Sequence, residues 1–196
     1  DQALALARRS ASADPKSSSA QIALSYAQQA AFDLEGARAS LEKAVALEPT
    51  GALAWARLAE IRSSLGHLDG ALEAARKATE LAPNLARTQS VLGFAHLTRV
   101  RTGEARAAFA KAIELDSSDP LPRLGLGLAL IRDGELAEGT KEIEIAVSLD
   151  PGQSLLRSYL GKAYFEAKRE DLVGREFDLA TVTAAVAPLE SSATAV

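Results

Sequence analysis

The chain has no cysteine and no methionine. Without thiols there is no disulfide framework, no Cys-ligated zinc and no thiolate nucleophile. Its two histidines, His67 and His96, lie too far apart in sequence to make a metal-ligand spacing. Aromatic residues make up only 5%, and strand-favouring Val, Ile, Tyr, Phe and Trp are few, which argues against a β-rich fold. No apolar run reaches the roughly 18 residues of a membrane span. No basic excess marks a nucleic-acid surface, because the net charge is −4. The first nine residues are not a secretory signal, since Arg8 and Arg9 follow a short apolar stretch instead of preceding a long one. The missing methionine predicts a chain excised from something longer, with any targeting signal removed. The sequence therefore reads as soluble, cytoplasmic or periplasmic, with the compartment open. Arginine outnumbers lysine 15 to 7 and Asn84 is the single asparagine, a bacterial-looking usage.

What the chain has in excess is alanine and leucine, 41 and 29 of 196 residues. These are strong helix formers, so the fold class is all-α. Pro15, Pro49, Pro83 and Pro151 stand 34, 34 and 68 positions apart, with Ser117 where the missing member falls. At that period other columns align: Leu24, Leu58, Leu92, Leu126 and Leu160; then Ser25, Ala59, Gly93, Gly127 and Gly161, always small. A third holds Ser10, Ala44, Ala78, Ala112, Ala146 and Ala180. Within each unit, Leu and Ala recur at steps of three and four, twice, around a turn such as Leu65-Gly66-His67 or Asp133-Gly134-Glu135. Each unit is thus a helical hairpin, and the small columns let two helices approach closely. A lone hairpin cannot bury its apolar face, so the units stack.

Trp55, Leu58, Ala59, Ala71, Ala78 and Pro83 in the second unit, with Leu160, Gly161, Tyr164, Phe177 and Ala180 in the fifth, resemble the tetratricopeptide repeat. The Trp position departs from the pattern as Gln21, Gln89, Arg123 and Arg157. The resemblance implies a right-handed α-solenoid, a superhelix of antiparallel hairpins with first helices on the concave face. The expected division is the second helix of a truncated repeat at 1–17, full repeats at 18–51, 52–85, 86–119, 120–153 and 154–187, and a flexible tail at 188–196. First helices are expected near 19–31, 53–65, 87–99, 120–133 and 155–167. Second helices are expected near 34–47, 68–81, 102–115, 136–149 and 170–184. Pro120 and Pro122 fit a first helical turn after the cap residue Asp119.

By that resemblance, fixed positions of each first helix line a concave groove. They nominate Tyr26, Arg87, Phe94, Leu97, Leu124, Leu128, Ile131, Arg132, Lys162 and Phe165 as partner-binding residues. The middle and C-terminal part of this set is apolar, and Arg87, Arg132 and Lys162 rim it. An exposed apolar patch of that kind marks a partner surface. The expected function is a protein–protein interaction scaffold holding an apolar peptide or helix. The alternatives are a self-associating homo-oligomer and the regulatory or targeting part of a larger bacterial enzyme or envelope-assembly protein. The two-carboxylate clamp of chaperone-binding members is not matched: Ile22, Tyr26, Arg57, Arg87 and Val91 stand at its positions, and only Arg87 is chemically related. No catalytic, cofactor or metal site is expected, and no nucleic-acid partner or membrane insertion. Gly125-Leu126-Gly127 lacks the third glycine and the preceding strand of a phosphate loop. His96 reads as a packing residue, and Arg99, Arg101 and Arg106 as a solvated or salt-bridged cluster.

Overall fold

The computed structural model describes residues 2–169 and 172–182. Ten helices run α1 (Gln2–Ala13), α2 (Ser18–Ala30), α3 (Leu34–Leu47), α4 (Ala52–Ser64), α5 (Leu68–Leu81), α6 (Ala86–Leu97), α7 (Thr102–Leu115), α8 (Pro120–Arg132), α9 (Leu136–Leu149) and α10 (Ser154–Glu166). Residues 172–182 are helical as well, and no strand occurs among the described residues. The fold is an all-α helical-repeat solenoid. Second helices α3, α5, α7 and α9 occupy the expected spans. First helices α2, α4, α6 and α10 start one residue earlier than expected; of these, only α2 has a side-chain cap, Ser17. The expected tail at 188–196, and the close of the fifth repeat beyond residue 182, lie outside the described residues.

Helix starts follow from side chains that satisfy the free N–H groups of a first turn. Ser17 accepts from Ala20 N–H at 3.1 Å, Asp33 from Gly36 N–H at 2.8 Å, and Asp119 from Leu121 N–H at 2.9 Å. Pro120 opens α8, where its missing N–H costs nothing. α1 ends at Ala13, just before Asp14-Pro15. The turns inside the hairpins share one conformation. Phe32, Gly66, Val100, Gly134 and Lys168 all have positive φ, one period apart. Glycine adopts that conformation freely, whereas the β-branched Val100 holds it at a cost of about 1–2 kcal/mol.

The chain forms two compact units, Asp1–Val100 and Arg101–Val196. In the first, each helix packs on the next from α1 to α6, and α4 also meets α6. Its core joins Ala37, Leu41, Leu58, Ile61, Ala75 and Ala78. In the second, α7, α8, α9 and α10 pack in succession around Leu124, Ile143, Leu156 and Leu160. The small column is a steric requirement at Gly127, where a Cβ would stand 2.6 Å from the Gly139 carbonyl oxygen; Gly125, outside that column, is required on its own account, since a Cβ there would enter the Phe109 ring.

The varied Trp position also has a physical account. Trp55 Nε1 donates to the Pro49 carbonyl at 2.9 Å, Gln89 Nε2 to the Pro83 carbonyl at 2.7 Å, and Arg157 Nε to the Pro151 carbonyl at 2.8 Å. Three side chains of different shape tie the same turn to the same helix. Arg123, whose repeat has Ser117 in place of the proline, pairs with Glu142 at 2.8 Å.

Candidate partner surfaces

In the first unit the first-helix face is a polar cluster. The Arg57 guanidinium lies 4.0 Å from the centroid of the Tyr26 ring, the range of a cation–π contact. Arg57 also pairs with Glu60 at 3.0 Å and donates to Gln29. Glu60 in turn takes Arg87 at 2.7 Å. The cluster links α2, α4 and α6 through charge-assisted hydrogen bonds. Tyr26 and Arg87 are exposed. Phe94 is half-buried, and Leu97 is only 9% exposed. Leu97 is therefore corrected from a groove residue to a packing residue. Arg57 is itself buried and holds this cluster from beneath; it was missed because its column reads Ala23, Val91, Gly125 and Tyr159, which carries no charge signal.

In the second unit the corresponding face is apolar. Leu124 is 2% exposed and belongs to the core with Ile143, Leu156 and Leu160. It too is corrected, since a side chain already buried in the core offers no area to a partner. Leu128 and Ile131 are half-buried against that core. Phe165 is 67% exposed, and Leu155 is exposed on the same helix. Lys162 of the same helix and Arg132 at the end of α8 are exposed as well, with the Lys162 ammonium 5.0 Å from the Tyr159 ring centroid. Tyr164 donates to Glu144 at 2.9 Å; burial, and then that bond, push its phenol up to about 12.

Two arginines near the α6–α7 turn are ion-paired. Arg99 pairs with Asp69 in the first unit, and Arg106 with Glu135 at 2.7 Å and Asp133 at 3.3 Å in the second. The Thr102 hydroxyl, and then Arg106, hold the Asp133 carboxyl below its ordinary range. His96 is buried within α6, and His67 is exposed in a turn. Among the described residues no three His, Asp or Glu side chains gather to hold a metal ion. No described helix is long and apolar enough to cross a membrane.

Residues 52–85 match the family model for a tetratricopeptide repeat. Residues 52–85 are thus similar to a tetratricopeptide repeat, within a helical-repeat solenoid. This repeat protein has no curated relative at a significant level of similarity. Solved structures share its fold. One is TTC0263, a thermophilic TPR protein in Thermus thermophilus, with 19% identity over 86% of this chain and 98% of that one, at a TM-score of 0.77. Another is PilW, a widely conserved type IV pilus biogenesis factor, with 23% identity over 86% and 78% and a TM-score of 0.74. A third is YrrB, a TPR protein with an unusual peptide-binding site, with 18% identity over 97% and 98% and a TM-score of 0.59. At such identities the likeness concerns the fold.

Proposed function

We propose that this repeat protein is a non-enzymatic interaction module that captures an apolar peptide or helix of a partner protein. The capturing surface is the first-helix face of the second unit, with Phe165 and Leu155 as anchors, Leu128 and Ile131 as the floor, and Arg132 and Lys162 at the rim. The observation that carries this reading is Phe165, a large aromatic side chain two-thirds exposed beside a lysine. Exposed aromatics of that kind, rimmed by charge, are the residues that dominate binding energy when they are covered. A rigid, pre-formed helical face loses little conformational freedom on binding, so less of the interaction energy goes to ordering the module itself. YrrB gives this fold a precedent for peptide binding, and the expected acidic flanks of the partner follow from Arg132 and Lys162.

The test starts from the partners that co-purify with the full-length protein. Phe165→Glu is expected to abolish their capture while circular dichroism stays unchanged, and Lys162→Glu to weaken it several-fold. Capture that survives Phe165→Glu overturns the proposal.

A further inference from the structure

The apolar face of the second unit has a candidate occupant in the same chain. Leu155, Ser158, Lys162 and Phe165 follow one another at steps of three and four along α10, so they share one side of that helix. Leu155 is 49% exposed and Phe165 67%. Lys162 and Arg132 are exposed as well, and among the described residues neither makes an ion pair. The face thus combines uncovered apolar area with two cations that lack an acid.

The last described helix ends at one edge of this face. Phe177 stands against Gly161, and Arg157 pairs with Glu176 at 3.0 Å. Ala180 and Thr181 line one hollow with Ser154 and Ser158. Residues 172–182 are therefore antiparallel to α10, and the chain leaves residue 182 beside the start of α10, next to Leu155. Fourteen residues, 183–196, follow. Extended, they reach up to about 46 Å. Leu155 and Phe165 are only about 15 Å apart along their helix.

The chemistry of that segment matches the face. Val186 and Leu189 supply branched apolar side chains, and Glu190 is the single charge. Pro188 lies between them, which disfavours a helix and suits an extended segment laid along α10. An acid within an apolar stretch complements Lys162 and Arg132. Glu166 is exposed one residue past Phe165, which keeps that acid short of the far end.

We propose that residues 183–196 fold back onto this face, with Val186 near Leu155 and with Leu189 and Glu190 near Phe165 and Lys162. There they act as a tethered competitor of the captured partner, a role that rests on the capture surface proposed above. A short tether gives a local concentration on the order of millimolar, so contacts too weak to hold a free peptide suffice. The same face of a second copy is a poor occupant, because it would set Arg132 and Lys162 against their own kind.

The chain has no cysteine, so paired cysteines can be introduced without background. Two full-length variants are oxidised side by side, one with Ser191→Cys and Glu166→Cys, the other with Ser191→Cys and Asp178→Cys. Asp178 is exposed and close to residue 182, so an undocked segment reaches it more readily. Fold-back predicts the opposite order, with the Glu166 position cross-linking at least about fivefold faster. Adding Leu189→Glu, or Glu190→Lys, is expected to reverse that preference. Equal rates, a preference for the Asp178 position, or a preference that survives both added changes overturns the proposal. Cross-links between chains, seen as dimers on a denaturing gel, overturn it too, because the segment would then belong to a second copy. Leu189→Glu alone is expected to strengthen partner capture several-fold, and unchanged capture removes the competitor role. If the cross-linking preference holds while Phe165→Glu leaves capture intact, the fold-back stands and the capture reading alone fails.

Discussion

The first-helix faces of the two units start from the same repeat register and end with opposite chemistry. In the first, Tyr26, Arg57, Glu60 and Arg87 satisfy one another, and apart from the exposed Leu53 the face is polar and internally paired. In the second, Leu128, Ile131, Leu155 and Phe165 leave apolar area uncovered. The repeat fixes where side chains point and leaves their character free. A paired cluster gains little from a partner, because its hydrogen bonds are already made. An apolar face gains by burial, at about 25 cal/mol for each Å² covered.

The contrast can be broken most severely in the second unit. Gly125→Val would drive a side chain into the Phe109 ring and is expected to cost about 3 kcal/mol, as overpacking in a close-packed core does. Urea unfolding monitored in the second unit would measure it. In the first unit, Arg57→Leu removes the charge that joins Tyr26, Gln29 and Glu60. A loss of about 2 kcal/mol is expected, part of it from stranding Glu60 with Arg87 alone. A double-mutant cycle with Glu60→Gln would show strong coupling between the two positions.

Smaller effects sharpen the comparison of turns. Val100→Gly is expected to stabilise by about 1 kcal/mol, because glycine relieves the left-handed backbone at that position. The outcome opposite in sign, destabilisation, would mean that the Val100 side chain contributes more than its backbone costs. The smallest expected effect is electrostatic. Thr102→Val removes the hydroxyl that chiefly lowers the Asp133 carboxyl. An NMR titration should then show the Asp133 midpoint moving up toward the ordinary value of 3.8. A carboxyl lowered in the folded state adds stability above its unfolded midpoint, and that stability is lost as pH falls through the folded one. Acid sensitivity below about pH 4 should therefore weaken slightly in the variant.

Much of the fold was legible because a period of 34 is hard to hide. Columns of Leu, Ala and Gly mark the same helix faces in unit after unit, and helix starts follow from Ser17, Asp33 and Asp119. The surface was only half legible. Tyr26, Arg87, Arg132, Lys162 and Phe165 are exposed, whereas Leu97 and Leu124 are buried. Leu124 falls in the groove by its place in the repeat, yet its column also holds Ala56 and Ser90, both buried. Those small partners were the available sign that the position faces a neighbouring helix. The left-handed turns were visible at Gly66 and Gly134. They were invisible at Phe32, Val100 and Lys168, where residue type argues against the conformation and only the period argues for it. The Arg57 cluster was not legible at all, since it depends on side chains 28 and 27 positions away in sequence.

The glycine beside Phe109 bears on how such an array can evolve. Its column elsewhere carries Ala23, Arg57, Val91 and Tyr159, and each of these has the Cβ that the Phe109 ring excludes. A hairpin ending in Phe109 can be followed by the α8–α9 hairpin and by no other hairpin of this chain without remodelling. Duplication or shuffling of repeats is therefore not neutral here. Ring and vacant Cβ position work as a matched joint that fixes which repeat succeeds which, so the order of the array is written into its packing as well as into its gene.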